Sequence, residues 1–195
     1  MQARGRIEVI TGPTFSGKST ELMRRMRTYT HAGERVFIIK PVIDDRYAAD
    51  SVVSHDGASI AARAAITLHV TIPDDVTVVG VDEGQFFPEL AQVCETWAAR
   101  GLIVVVAGLD SYATREPWSA VCSLLPCAER IDKLHAVCKR CKRPAAFTYS
   151  HSRDRSSHIQ IGGAETYEAM CRQCHAQATA AARPSYSPEA GTEAV

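Results

Sequence analysis

Positive charge is not in excess: Lys and Arg number 22, Asp and Glu also 22, and the formal net charge is zero. A protein that grips nucleic acid broadly draws most of its affinity from a basic surface, so this balance argues against a nucleic-acid partner. No apolar run is long enough to span a bilayer, which argues against a membrane partner. No secretory hydrophobic stretch follows Met1-Gln2-Ala3-Arg4-Gly5. Internal repeats are absent. The seven cysteines are odd in number and include two C-x-x-C pairs, which points to metal and not to a disulfide framework. These absences lead to the expectation of a cytoplasmic protein acting on small molecules. What is present is ordinary for a globular chain: 46% apolar content over 195 residues, enough for one main domain with a small appendage.

The most informative stretch is Gly12-Pro13-Thr14-Phe15-Ser16-Gly17-Lys18-Ser19, which fits G-x-x-x-x-G-K-[ST] without a mismatch. The apolar run Arg6-Ile7-Glu8-Val9-Ile10 before it reads as a buried strand. The helix formers Thr20 to Met26 follow, with Leu22, Met23 and Met26 along one face. Gly12 and Gly17 let the backbone curl so that its N–H groups face an anion at a helix N-terminus. In that setting Lys18 reaches the β- and γ-phosphates of a nucleoside triphosphate, and the Ser19 hydroxyl ligates Mg²⁺.

Val/Ile-rich segments alternate with amphipathic ones, the rhythm of a mainly parallel sheet flanked by helices. Strands are expected at Arg35–Lys40, ended by Pro41, at Val76–Val81 and at Leu102–Ala107, with a helix at Leu90–Arg100 stopped by Gly101. The polar stretch Asp44–Gly57 reads as loop. After about Leu134 cysteines and prolines replace this rhythm. The expected organisation is therefore an α/β phosphate-loop domain over 1–135, a zinc-binding domain over 136–176, and a disordered tail over 177–195.

A second motif places the chemistry. The strand Val78-Val79-Gly80-Val81 runs straight into Asp82-Glu83. Asp82, at the strand's carboxyl end, is placed to hold Mg²⁺ directly or through water. Glu83 then points toward an attacking oxygen, whose proton it accepts. The blander alternative has Glu83 ordering a water or capping the next turn. Many phosphate-loop ATPases use such a glutamate for water, so the residues favour phosphoryl transfer without naming the acceptor.

Cys138-Lys139-Arg140-Cys141 and Cys171-Arg172-Gln173-Cys174 form paired C-x-x-C knuckles suited to a closed, structural Zn–S₄ site. His175 is an alternative ligand; the four cysteines are the preferred set. The segment between the knuckles is long and should extrude a loop over roughly Ala145–Met170. Cys94, Cys122 and Cys127 read as core or bystander thiols.

Taken together, these residues resemble the cellular-type (type II) thymidine kinases over roughly residues 5–176. The phosphate loop and following helix through Arg25, Asp44-Asp45-Arg46-Tyr47, His55-Asp56, Val81 to Pro88, and Ile161 to Tyr167 with Cys171 and Cys174 all look like that family's motifs. The resemblance implies a kinase that moves the γ-phosphoryl group of ATP to the 5′-hydroxyl of thymidine, with Glu83 as the base. Asp44, Arg46, Gly84 and Gln85 would then join the phosphate loop on the ATP side. The long loop becomes a lasso over thymidine, its backbone at His158, Ile159, Gln160, Ile161 and Gly162 reading the pyrimidine edges. Phe86, Leu109, Ala113, Trp118, Thr148 and Tyr167 line the nucleoside pocket. Homotetramers and feedback inhibition by dTTP are implied in the same way. The chain departs from the family at Ala113, where a Phe is usual, and at Pro117-Trp118, where Pro-Phe is usual; Tyr112 and Trp118 are candidates for the lost aromatic surface. A rival from another class is a zinc-ribbon ATPase working on nucleic acid, which the zero net charge disfavours.

Overall fold

β1 (Arg6–Thr11) is buried along nearly its whole length, as a strand covered on both faces must be. In the computed structural model, which describes residues 5–43, 51–53, 59–152 and 165–181, it is followed by α1 (Lys18–His31), β2 (Val36–Pro41) and β3 (Ser51–Val53). Then come β4 (Ser59–Ala61), β5 (Arg63–Ala65), β6 (Val78–Val81), α2 (Leu90–Ala99), β7 (Ile103–Gly108), α3 (Ser119–Leu124) and β8 (Arg130–Lys133). The chain continues through β9 (Ala136–Val137), β10 (Pro144–Ala145), β11 (Phe147–Ser150), β12 (Tyr167–Met170) and α4 (Arg172–Ala181).

Six strands form one sheet in the order β5-β2-β6-β7-β1-β8, and every neighbouring pair is parallel. Alternate side chains go to opposite layers. Ile7, Val9, Val79, Val81, Val104 and Val106 pack with Phe87, Leu90, Trp97, Val121 and Leu124 of the α2/α3 side. Ile10, Ile38, Val78, Val105 and Ala107 pack with Leu22, Met23 and Met26 of α1. The apolar stripe foreseen on α1 is thus the face that covers the sheet.

One polar cluster interrupts the α1 layer. Arg25, 5% exposed, donates to Glu8 Oε2 at 2.9 Å, Glu21 Oε1 at 2.8 Å and Asp132 Oδ2 at 2.6 Å. It therefore ties α1 to β1 and β8. Burial by itself would raise the Glu8 carboxyl, but the Tyr29 hydroxyl, Arg6 and Arg25 outweigh it and hold the group below its ordinary value.

The structure departs from the sequence reading in several places. Ser51–Val53 is a strand, paired antiparallel with Ser59–Ala61, inside the stretch expected to be loop. Pro41 does end β2, as expected, and is itself the strand's last residue, opposite Ala65, where its missing N–H costs little. β5 and β8, the two edge strands, are short and carry no apolar run that would announce them. The sheet after Leu134 gives way to two small hairpins, β9–β10 and β11–β12. Ala145, Phe147–Ser150 and Tyr167–Met170, all inside the segment expected to be loop, therefore belong to strands. α4 continues to Ala181 and buries Cys174, His175 and Ala178, so the start of the expected tail, 177–181, is the last turn of a helix, which the reading of that end allowed. Residues 182–195 lie outside those described.

Candidate active site

The phosphate loop needs unusual backbone, and its glycines supply it. Gly12 has φ 141°, and a Cβ there would stand 2.5 Å from the Leu134 carbonyl oxygen and 2.9 Å from Ser16 Oγ. Only glycine fits that approach. Gly17, φ 84°, opens α1, so that Lys18 and Ser19 begin the helix. The N-terminus of α1 therefore begins directly at the end of the loop, where a helix favours an anion. Lys18 is 9% exposed and its Nζ donates to the Pro13 carbonyl at 2.9 Å, across the loop it belongs to.

Strand order brings the second motif to this point. β1 and β6 are separated by β7, and all three run in the same direction, so the loops after β1 and β6 emerge at one edge of the sheet. The Ser19 hydroxyl donates to Asp82 Oδ1 at 2.9 Å, and Asp82 is 4% exposed. A hydroxyl and a buried carboxylate at this separation are the oxygen ligands a hard divalent cation takes at a phosphate loop. The two residues that the sequence marked for Mg²⁺ thus touch each other.

Glu83 follows with φ 49°, in the left-handed region that a non-glycine residue occupies at a cost of about 1–3 kcal/mol. Its carboxylate is held from one side: Gln85 Nε2 donates to Glu83 Oε2 at 2.5 Å, while Gln85 Oε1 accepts the Leu109 N–H at 3.0 Å. The second bond fixes which way the buried Gln85 amide points, and so fixes that its N–H₂ faces Glu83. Gly84 is required by packing, since a Cβ there would stand 2.8 Å from Val106 Cγ1.

Beyond Glu83 lies an aromatic wall. Trp118 stacks on Tyr112 with centroids 3.8 Å apart and meets Phe86 nearly perpendicularly at 5.8 Å. Tyr112 and Trp118, the two candidates for the aromatic surface absent at Ala113, are thus in contact with each other. The Trp118 indole Nε1 is buried and has no hydrogen-bond acceptor among the described residues. Ala113 itself turns a carbonyl to His175 Nε2 at 3.0 Å.

The cysteine-bearing region after Leu134 meets this site through that His175 contact and at two further places. Thr148 on β11 accepts from the Thr14 main-chain N–H at 3.0 Å. Phe147 lies under the Arg115 guanidinium at 4.7 Å and under that of Arg172 at 4.8 Å. Tyr167 starts β12, opposite Ser150. Asp44, Arg46, His158, Ile159, Gln160, Ile161 and Gly162 lie outside the described residues.

Four thiols converge behind the hairpin. The sulfur atoms of Cys138, Cys141, Cys171 and Cys174 all lie within 4.8 Å of one another. Tetrahedral Zn–S₄ geometry with bonds of about 2.3 Å sets sulfurs roughly 3.8 Å apart, so the cluster fits such an ion with small adjustment. Arg143, whose Nε donates to Cys141 Sγ at 3.5 Å, is the main reason that the Cys141 thiol is pulled down to about 6. His175 points away from the cluster, to Ala113, so its ring is not part of the sulfur set. Of the other cysteines, Cys94 is in the main core, where burial pushes its thiol up to about 12, and Cys122 donates to the Asp110 carbonyl at 3.3 Å.

Sequence reasoning did not foresee the Thr14–Thr148 contact, the role of Gln85 as the holder of Glu83, or the seating of His175 on Ala113. Each joins residues far apart in the chain or acts through a side-chain rotamer, and no spacing rule encodes it.

Comparison with known proteins agrees with this geometry. The thymidine kinase family model matches residues 5–175. Cytosolic thymidine kinase of chicken (Gallus gallus) is 42% identical over 176 residues, covering 89% of this chain and 78% of the relative. The human cytosolic thymidine kinase is 43% identical over 176 residues, covering 89% and 74%. A thymidine kinase of the bacterium Bacteroides thetaiotaomicron is 40% identical over 181 residues, covering 90% and 89%. Both motifs, the sheet that carries them and the four cysteines fall within the matched span, and the chain belongs to the thymidine kinase family.

Proposed function

We propose that the protein transfers the γ-phosphoryl group of ATP to the 5′-hydroxyl of deoxythymidine, forming dTMP. The observation that carries this reading is the continuous arrangement from Ser19 through Asp82 to Glu83, with the glutamate steadied by Gln85. Gly12 to Ser19 cradle the triphosphate, and Asp44, Arg46, Gly84 and Gln85 complete the ATP side. Mg²⁺, held by Ser19 and Asp82, neutralises charge on the transferring group, and Lys18 leaves the Pro13 carbonyl to meet the β/γ-phosphates. Glu83 accepts the proton of the attacking 5′-hydroxyl.

The nucleoside occupies the space between the Phe86–Trp118 wall, Leu109, Ala113, Thr148, Tyr167 and the lasso backbone at 158–162. Zinc on the four cysteines is structural: four thiolates leave no open position for chemistry, and the ion staples both ends of the lasso. The working division is a phosphate-loop domain to about residue 135 and a zinc module after it. A homotetramer inhibited by dTTP, in the cytoplasm, completes the reading. Among the described residues no helix is long and apolar enough to cross a membrane.

Product analysis with ATP, Mg²⁺ and a panel of nucleosides tests the assignment. Thymidine should exceed deoxycytidine by about 10⁴ in kcat/KM, because cytosine would leave buried backbone donors and acceptors facing wrong partners. Deoxyuridine should fall below thymidine by only roughly 10–200-fold, the range one methyl group supplies. Equal use of deoxycytidine and thymidine would refute the base-reading part, and ATP hydrolysis without nucleoside phosphorylation would refute the kinase.

A further inference from the structure

Thr14 and Thr148 are 134 residues apart in the chain and belong to different modules, yet they are joined twice. The Thr14 N–H donates to Thr148 Oγ1 at 3.0 Å, and the two hydroxyl oxygens lie 3.2 Å apart. Thr148 is 4% exposed and sits in β11 opposite Ala169 of β12. One residue beyond the end of β12 is Cys171, and before β11 come Cys138 and Cys141, so the cysteine cluster fixes both strands of this hairpin. Its open end is at Ser150 and Tyr167, which pair with each other. Thr14 lies inside the phosphate loop. A buried hydroxyl that loses its partner is left unpaired at a cost, so the two elements are not free to move apart independently.

We infer that Thr148 is a positioning residue that couples the nucleotide and nucleoside sites, an inference that rests on the kinase reading above. Phosphate bound in the loop restricts Thr14. That restriction passes through the two hydrogen bonds to β11, and the hairpin then has less freedom left to lose when nucleoside binds. The coupling is therefore positive, and it must be reciprocal: thymidine tightens ATP binding by the same factor. A residue that merely lined the nucleoside pocket would change thymidine affinity equally whether or not the phosphate loop was occupied.

The test is calorimetric binding of thymidine to the full zinc-loaded protein at fixed concentration, with and without a non-hydrolysable ATP analogue and Mg²⁺. In the unmodified protein the analogue should tighten thymidine binding about 5-fold or more, the lower end of ordinary coupling. Thr148→Val keeps the side chain's shape and removes the hydroxyl; its ratio should fall to about one. Thr148→Ser keeps the hydroxyl and should retain the ratio, and Thr14→Val, which loses one of the two bonds, should lie between. In steady state Thr148→Val should raise KM for both substrates, as expected when the two binding steps lose their coupling. An equal ratio in the unmodified protein and Thr148→Val, or a ratio of one in the unmodified protein, overturns the coupling. Failure of the unmodified protein to bind thymidine at all would instead overturn the kinase reading, and the coupling with it.

Discussion

The sheet that carries the phosphate loop and the hairpins that carry the four thiols are held together by different means. On both faces of the sheet, layers of Val, Ile, Leu and aromatic residues are fully buried. In the zinc module the buried set is Ala136, Cys138, Ala145, Ala169, Met170, Cys174 and Ala178. Apart from Met170 these side chains are small, and they withdraw little apolar area from water. The first region has a core that suffices for itself. The second has little apolar core, and its four clustered thiols are where a metal would supply the missing stability. In the function proposed above, the catalytic arrangement stands on the first region and the nucleoside-reading parts on the second.

Four substitutions or treatments would break or sharpen this contrast. The largest effect is expected from Glu83→Gln, which keeps size and polarity but removes the base: kcat should fall by roughly 10²–10⁴ with ATP affinity largely kept. Near-normal turnover would remove Glu83 from its role.

Arg25→Ala attacks the stability of the sheet region without touching the zinc module. It takes from the buried Glu8 of β1 one of its partners, leaving Arg6 and the Tyr29 hydroxyl, and urea unfolding should show a loss of about 2 kcal/mol. The loss should shrink in acid. Glu21, pulled down to about 2 mainly by its hydrogen bond from Arg24, contributes stability that is complete above its ordinary value near 4.5 and disappears as pH falls toward 2. Glu8 and Asp132 are lowered as well and follow the same sign. A difference that grew at acid pH would contradict this account.

Chelation, or Cys141→Ser and Cys174→Ser, attacks the other region. Thymidine KM should rise about tenfold or more, within the range seen when groups supporting a metal site are removed. The main unfolding transition and ATP affinity should stay nearly unchanged. Metal analysis of the purified protein should find one zinc per four-cysteine cluster. Full thymidine affinity in metal-free protein would show that the modules are not divided in this way.

The smallest effect is the control. Arg35 and Asp75 form an ion pair whose side chains are 73% and 59% exposed. Asp75→Ala should change stability by less than about 0.5 kcal/mol, because solvent screens such pairs.

Much of the site was legible before any coordinates. The phosphate loop, the acidic strand end and the cysteine knuckles are local: each is a few residues whose spacing is dictated by one ligand, be it a phosphate, a cation or a sulfur-bound metal. The buried central strands were legible for a similar reason, since strands covered on both faces are continuous apolar runs. The edge strands β5 and β8 were not, because an edge is made by pairing with β2 or β1 and needs no apolar run of its own.

The amino-acid sequence by itself therefore marked the groups on which the proposed function rests: Lys18, Ser19, Asp82 and Glu83 for the chemistry, and the four cysteines for a structural metal. Only the tertiary structure decided how they meet. The order β6-β7-β1 brings Ser19 within hydrogen-bond reach of Asp82, 63 residues on. The folded hairpin sets Thr148 against Thr14, and the Leu109 N–H turns Gln85 toward Glu83. These contacts depend on strand order, on packing and on which way an amide is turned. Each is a property of the whole folded chain, and a short stretch of residues carries no record of it.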